Sequence, residues 1–192
     1  MAVEQNQNLG EWRWVNVWKH FRTISRHRNL VMRYCFKVGL YAQGLKHDLS
    51  KFGRTEFSVG VRYYQGNRSP NNAEREVRGL TEAWLHHKGR NKHHYEYWTD
   101  ISVTDNWKIT GVKMPVRYVA EMLADRMAAC MVYQKEAYTD RSPWEYYRKV
   151  RDYITIHPET KALLEKLMKM LAVKGEEETF RYMRSLLRKG TY

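Results

Sequence analysis

The chain has 192 residues, enough for one domain with a core of its own. Apolar residues make up 43% of it, which excludes wholesale disorder, and no apolar run reaches the length needed to span a bilayer. Lys and Arg outnumber Asp and Glu by 34 to 21, a net charge of +13 that favours anionic partners such as nucleotides, nucleic acid or acidic proteins.

Residues 1–12 read as a polar N-terminal tail and 13–192 as one helical domain. The tail has no hydrophobic block of the signal-peptide kind, so a soluble, cytoplasmic protein without membrane contact is expected. Trp14, Val17, Trp18, Phe21 and Ile24, then Val31, Cys35 and Val38, recur at three- and four-residue steps. That spacing predicts one or two long helices. Gly44 is expected to break the run just before His47 and Asp48. The Gly, Asn, Ser and Pro content of Tyr63 to Asn72 predicts a loop. A helix follows from about Ala73, behind an Asn cap, through Trp84 to His87.

Beyond Gly89, weak alternation of β-branched residues from Trp98 to Lys113 predicts a short hairpin or an irregular excursion. Pro115 starts a helix that puts Val116, Val119, Ala120, Leu123, Met127 and Met131 on one face. Ser142-Pro143-Trp144-Glu145 has the form of a capping box. His157-Pro158 opens a helix closed by Gly175, and a last helix runs from Glu176 to Lys189. Cys35 and Cys130 lack metal spacing and are expected to be reduced core residues. The predicted fold class is all-α.

Seven of the eight histidines lie between His20 and His94. His47 and Asp48 are adjacent in LKHDLSK, and His86, His87, His93 and His94 form HHKGRNKHH. Asp125 interrupts the apolar run Met122 to Ala129, where a carboxylate is costly to bury unless it is paired or bound to a cation. Imidazole with carboxylate suits Mn, Fe, Co, Ni or Zn rather than Ca. Each piece also has a plainer role. His27 can be a capping or surface histidine, Asp125 can pair with an arginine, and HHKGRNKHH can be a basic loop gripping phosphates. His20 reads as structural.

Taken together, the order H…HD…D in three successive helical segments resembles the ligand order of the HD superfamily of metal-dependent phosphohydrolases. The resemblance implies an HD-domain-like helical bundle with His27, His47, Asp48 and Asp125 as metal ligands. KHDLSKF is similar to that superfamily's HDIGK stretch, which implies that Lys51 lies near the substrate phosphate. Two-metal members carry further histidines between the HD pair and the last Asp, a place held here by His87, His93 and His94. Neighbours on a helix point about 100° apart, so His87 is expected with one of His93 or His94. Glu121, one turn before Asp125, is expected to orient a ligand histidine. Arg54, Arg90 and Asn91 are expected beside Lys51 at the substrate. Over residues 15 to 190 the chain also resembles an uncharacterised family of small bacterial and phage proteins.

The function implied is hydrolysis of a nucleotide-like phosphoester, with Asp48 and Lys51 catalytic and one or two divalent transition-metal ions polarising a phosphoryl oxygen and acidifying water. Two alternatives stand beside it. One is a basic module that binds nucleic acid or another anionic partner around a structural metal. The other is a di-iron oxygenase, because the superfamily's inositol oxygenases use an H…HD…H…H…D set like this one.

Overall fold

A computed structural model describes residues 9–192, so residues 1–8 of the expected tail lie outside the described residues. The fold is mostly α, as the periodicity predicts, with one small hairpin. Helix α1 (Trp14–Lys37) buries His20, Ile24, His27, Val31, Tyr34 and Cys35, a single stripe at three- and four-residue steps. Two histidines therefore share a face with core aliphatics. Gly39 ends this run with φ at +87°, a left-handed turn that glycine adopts without steric cost.

Gly44 does not break the chain. It lies inside α2 (Tyr41–Lys46), where a side chain would meet Cys35 Cβ at 3.0 Å, so its job is close packing of α2 on α1. After α2 come Asp48, one tight helical turn (Leu49–Phe52) and α3 (Arg54–Arg62). The helix expected from Ala73 to His87 is two helices. The first, α4 (Pro70–Arg78), starts earlier because Pro70 is preset for a first turn, and it stops at Gly79 with φ at +77°. The second, α5 (Glu82–Lys88), is capped by Thr81, whose hydroxyl accepts from the Trp84 N–H at 3.2 Å.

Strands β1 (Thr99–Ser102) and β2 (Lys108–Gly111) pair antiparallel, which settles the excursion as a hairpin. Helix α6 (Val116–Gln134) buries residues nearly all round, including Val119, Ala120, Leu123, Met127 and Cys130, as expected of a helix running through the middle of a bundle. The capping box does not form at α7 (Ser142–Arg148). Ser142 is already helical, and its hydroxyl accepts from the Thr139 N–H at 3.0 Å, closing the preceding turn instead. Helix α8 (Pro158–Lys189) has two arms that meet at a kink at Gly175, with φ at +77° and ψ at −178°, where the sequence predicts one helix to end and the next to begin.

The core forms where α1, α6 and α8 meet, around Val31, Cys35, Leu123, Met127, Leu164 and Leu171. Both cysteines are buried and free. Among the described residues, no helix is long and apolar enough to cross a membrane.

Candidate metal centre

The inward faces of α1 and α6, the turn after α2 and the segment after α5 converge on Asp48. Its backbone is left-handed, φ 53° and ψ 25°, a region that Asp visits more readily than most residues with a Cβ. The residue is 1% exposed, and its two carboxylate oxygens serve two different groups. Oδ2 lies 3.4 Å from His27 Nε2 and 3.3 Å from His47 Nε2. Those same nitrogens stand 3.0 and 3.6 Å from Asp125 Oδ1. Oδ1 lies 3.3 Å from His87 Nε2 and 3.5 Å from His93 Nε2, and His94 Nε2 is 2.9 Å from His87 Nε2.

The side chains thus form two groups that could hold an ion and that share Asp48: His27, His47 and Asp125 on one side, His87, His93 and His94 on the other. Within each, the candidate ligand atoms all lie within 4.8 Å of one another. His27 Nε2, His47 Nε2, His93 Nε2 and Asp48 Oδ1 are buried without a hydrogen-bond partner, while Asp48 Oδ2 faces the Lys51 ammonium. Unpaired buried polar atoms cost about 1–3 kcal/mol each, so four facing one another favour an occupant. A transition-metal ion bonded at roughly 2.0–2.2 Å to nitrogen and oxygen holds neighbouring donors roughly 3 to 3.5 Å apart. The donor types and separations fit such an ion on either side of Asp48.

A second layer of carboxylates sets the imidazole tautomers. Glu121 Oε1 accepts from His47 Nδ1 at 2.9 Å and lies 3.2 Å from His93 Nδ1. Glu121 thus stands beside two of the histidines expected as ligands. Glu56 was not foreseen. Its two oxygens accept from His86 Nδ1 at 2.6 Å and His87 Nδ1 at 2.7 Å. A proton held at Nδ1 leaves Nε2 as the atom that can bind an ion beside Asp48. The signal for Glu56 was present in the sequence: it shares the buried stripe of α3 with Gly60 and Val61, the same argument that singles out Asp125.

The electrostatics suit a cation. Burial works against ionising Asp48, but His47, Lys51 and His87 outweigh it and hold the carboxyl well below the usual range. Asp125 is likewise held low against its burial, by His27 and His47. Glu121, also against its burial, is held at about 2 by His47 and His93. Burial, with His93 and His87 close by, pushes His94 well below the ordinary imidazole value. Burial also disfavours a proton on His47, yet Asp48, Asp125 and Glu121 together raise it well above its ordinary value, so an ion binding there displaces a proton.

His93 and His94 both reach the cluster, whereas only one of them was expected. The helical 100° rule does not apply because α5 ends at Lys88 and the chain doubles back, with the Arg90 and Asn91 N–H groups both bonded to the His87 carbonyl. Lys51 Nζ lies 2.6 Å from Asp48 Oδ2 with 26% of its side chain exposed, placing an ammonium at the rim of the cluster. Asn91 braces the ligand loop, donating to Ser50 Oγ at 3.0 Å and to the His87 carbonyl at 2.8 Å. Arg54 and Arg90 stand on the exterior; Arg90 donates to the His86 carbonyl at 3.3 Å. His20 is structural, its ring pressed against Gly60 where a Cβ has no room.

The family's sequence profile matches residues 16–170, a span that contains every residue of the cluster. The chain belongs to DUF5662, a family of unknown function. No curated protein and no solved structure matches it. For this DUF5662 chain the chemistry is therefore argued from the cluster itself. Glu121→Gln is expected to weaken metal binding about 10- to 100-fold, because the amide no longer fixes the Nδ1 protons of His47 and His93. Competition titration against a chromophoric chelator measures it, and an unchanged affinity would deny Glu121 that role.

Proposed function

We propose that this protein is a metal-dependent phosphoester hydrolase of the HD type, with two divalent transition-metal sites bridged by Asp48. The observation that carries this reading is the set of four unpartnered buried atoms, three imidazole nitrogens and Asp48 Oδ1, flanked by two carboxylate–histidine layers. His27, His47, Asp48 and Asp125 would hold one ion, and Asp48, His87, His93 and His94 the other. Bound there, such ions polarise phosphoryl oxygens and acidify water near neutral pH.

The chain supplies the rest. Glu121 and Glu56 keep the ligand imidazoles in the Nδ1–H tautomer. Asp125 and Asp48 stay ionised and give the cluster its negative charge. Lys51, tethered to Asp48 and partly open to solvent, offers an ammonium to a phosphate oxygen and stabilises charge that builds up on it. The basic composition favours a nucleotide-like substrate.

The test joins metal analysis of purified protein to hydrolysis assays on generic phosphomonoesters, phosphodiesters and a nucleotide panel. Bound Mn, Fe, Co, Ni or Zn with metal-dependent phosphate release is the expected result. Protein that stays inactive after loading with each metal overturns the reading. Iron with oxygen-dependent absorbance changes and no hydrolysis would assign the same ligand set to oxygenase chemistry instead.

A further inference from the structure

Outside the cluster, the described surface carries a run of exposed aromatic rings at the start of α1. Trp14 and Trp18 are 79% and 63% exposed, and Trp12, Phe21 and Phe52 are exposed beside them. The rings form two contacting groups, Trp12 with Trp14 and Trp18 with Phe21 and Phe52. Trp12 meets Trp14 edge-on at 5.8 Å, Trp18 stacks on Phe21 at 5.7 Å, and Phe21 meets Phe52 edge-on at 5.9 Å. Trp14, Trp18 and Phe21 follow the i, i+4, i+7 spacing of one helix face, and exposed Lys19, Arg22 and Arg26 line the next. Exposed apolar rings gathered on one helix face mark a binding site more often than an idle one.

Charge decides what binds there. Between Glu11 and Asp48 the chain contains no carboxylate side chain, so the charged residues that α1 contributes to this face are all basic. A second copy seated on it would set Arg and Lys against Arg and Lys. A helix lying in a bilayer interface keeps its apolar face along its length, whereas here the rings give way to Arg22, Ser25, Arg26 and Asn29 after two turns. Rings for bases with cations alongside for phosphates are the recognition elements of single-stranded nucleic acid. Position agrees, since Phe52 follows Lys51, whose ammonium touches Asp48.

We propose that the strip Trp14, Trp18, Phe21 and Phe52, with Arg22 and Arg26 along its edge, binds single-stranded nucleic acid and leads its backbone to the metal cluster. The delivery step rests on the hydrolase reading; the binding does not. Hydrolysis of the delivered diester breaks one P–O bond, with water's hydroxyl ending on phosphorus and its proton on the departing sugar oxygen.

The experiment is fluorescence anisotropy of short labelled oligo(dT) and oligo(U) with the full-length, metal-loaded protein at several salt concentrations. Trp18→Ala with Phe21→Ala is expected to weaken binding about tenfold or more, while hydrolysis of bis(p-nitrophenyl) phosphate is unchanged. Arg22→Gln is expected to reduce the salt slope by about one. Wild-type protein that binds no oligonucleotide, or a double variant that binds as tightly, overturns the proposal. So does capture by phosphatidylserine vesicles, or self-association through this face, without oligonucleotide binding. Oligonucleotide binding with no phosphoester hydrolysis would retire the hydrolase reading and leave this surface standing. Hydrolysis of small phosphoesters without oligonucleotide binding would do the reverse.

Discussion

Asp48→Ala is expected to empty both metal sites and lower phosphoester hydrolysis by roughly a thousandfold, because one carboxylate serves both ligand groups. Loss of any one histidine leaves one group whole; loss of Asp48 leaves neither. The stability readout is independent of activity. An ion supplied at about a hundred times its Kd stabilises the folded state by about 2.7 kcal/mol. For a chain of this size that raises Tm by roughly 5–10 °C. The wild type should show this rise and Asp48→Ala should not. The left-handed backbone at Asp48 calls for a control, since alanine there costs roughly 1–2 kcal/mol of backbone strain by itself. Asp48→Gly removes the carboxylate without that strain, and it should lose metal and activity equally. Full metal content in either variant would remove Asp48 from the centre of the site.

The metal-free protein is expected to lose about 3 kcal/mol of stability as pH falls from about 6.5 to about 4, through His20 alone. Burial, helped by the nearby charge of Lys51, lowers this imidazole to about 4 from its ordinary 6.5. Between those values the unfolded chain binds a proton there that the folded chain refuses, so stability falls as the solution becomes acid. His94 acts with the same sign. Glu121, held at about 2, adds a further loss as pH drops from about 4.5 towards that value. His47 works the other way: its contribution is present below about 6.5 and is lost as pH rises through its elevated folded value. Thermal melts of chelator-treated protein across this range test the sum. In His20→Gln the melting temperature should fall less steeply between pH 6.5 and 4, and an identical slope would contradict the assignment.

Much of the fold was legible because it is local. The stripe of α1, the Pro115 start and the buried face of α6, and the break at Gly175 all follow from helical periodicity and from residues that begin or end helices. The misreadings have different causes. Gly44 looked like a break because the sequence does not display the Cys35 and Phe36 side chains against which it packs. Gly79 and Thr81 did carry a stop and a cap, but the apolar pattern seemed to run across them.

For the site, residue types sufficed to nominate ligands: a His-Asp pair, a histidine cluster and a carboxylate in an apolar helix. They could not show that His93 and His94 both face Asp48. That depends on the chain doubling back at the His87 carbonyl after α5, a long-range outcome of packing. Nor could they show that Glu56, far along the chain from His87, is the carboxylate that fixes its tautomer. The sequence by itself determined which side chains could bind a cation, because that is a property of their donor atoms. Only the tertiary structure decided that Asp48 divides its two oxygens between two ligand groups, because that division is set by which faces of α1, α6 and the α5 loop the bundle turns inward.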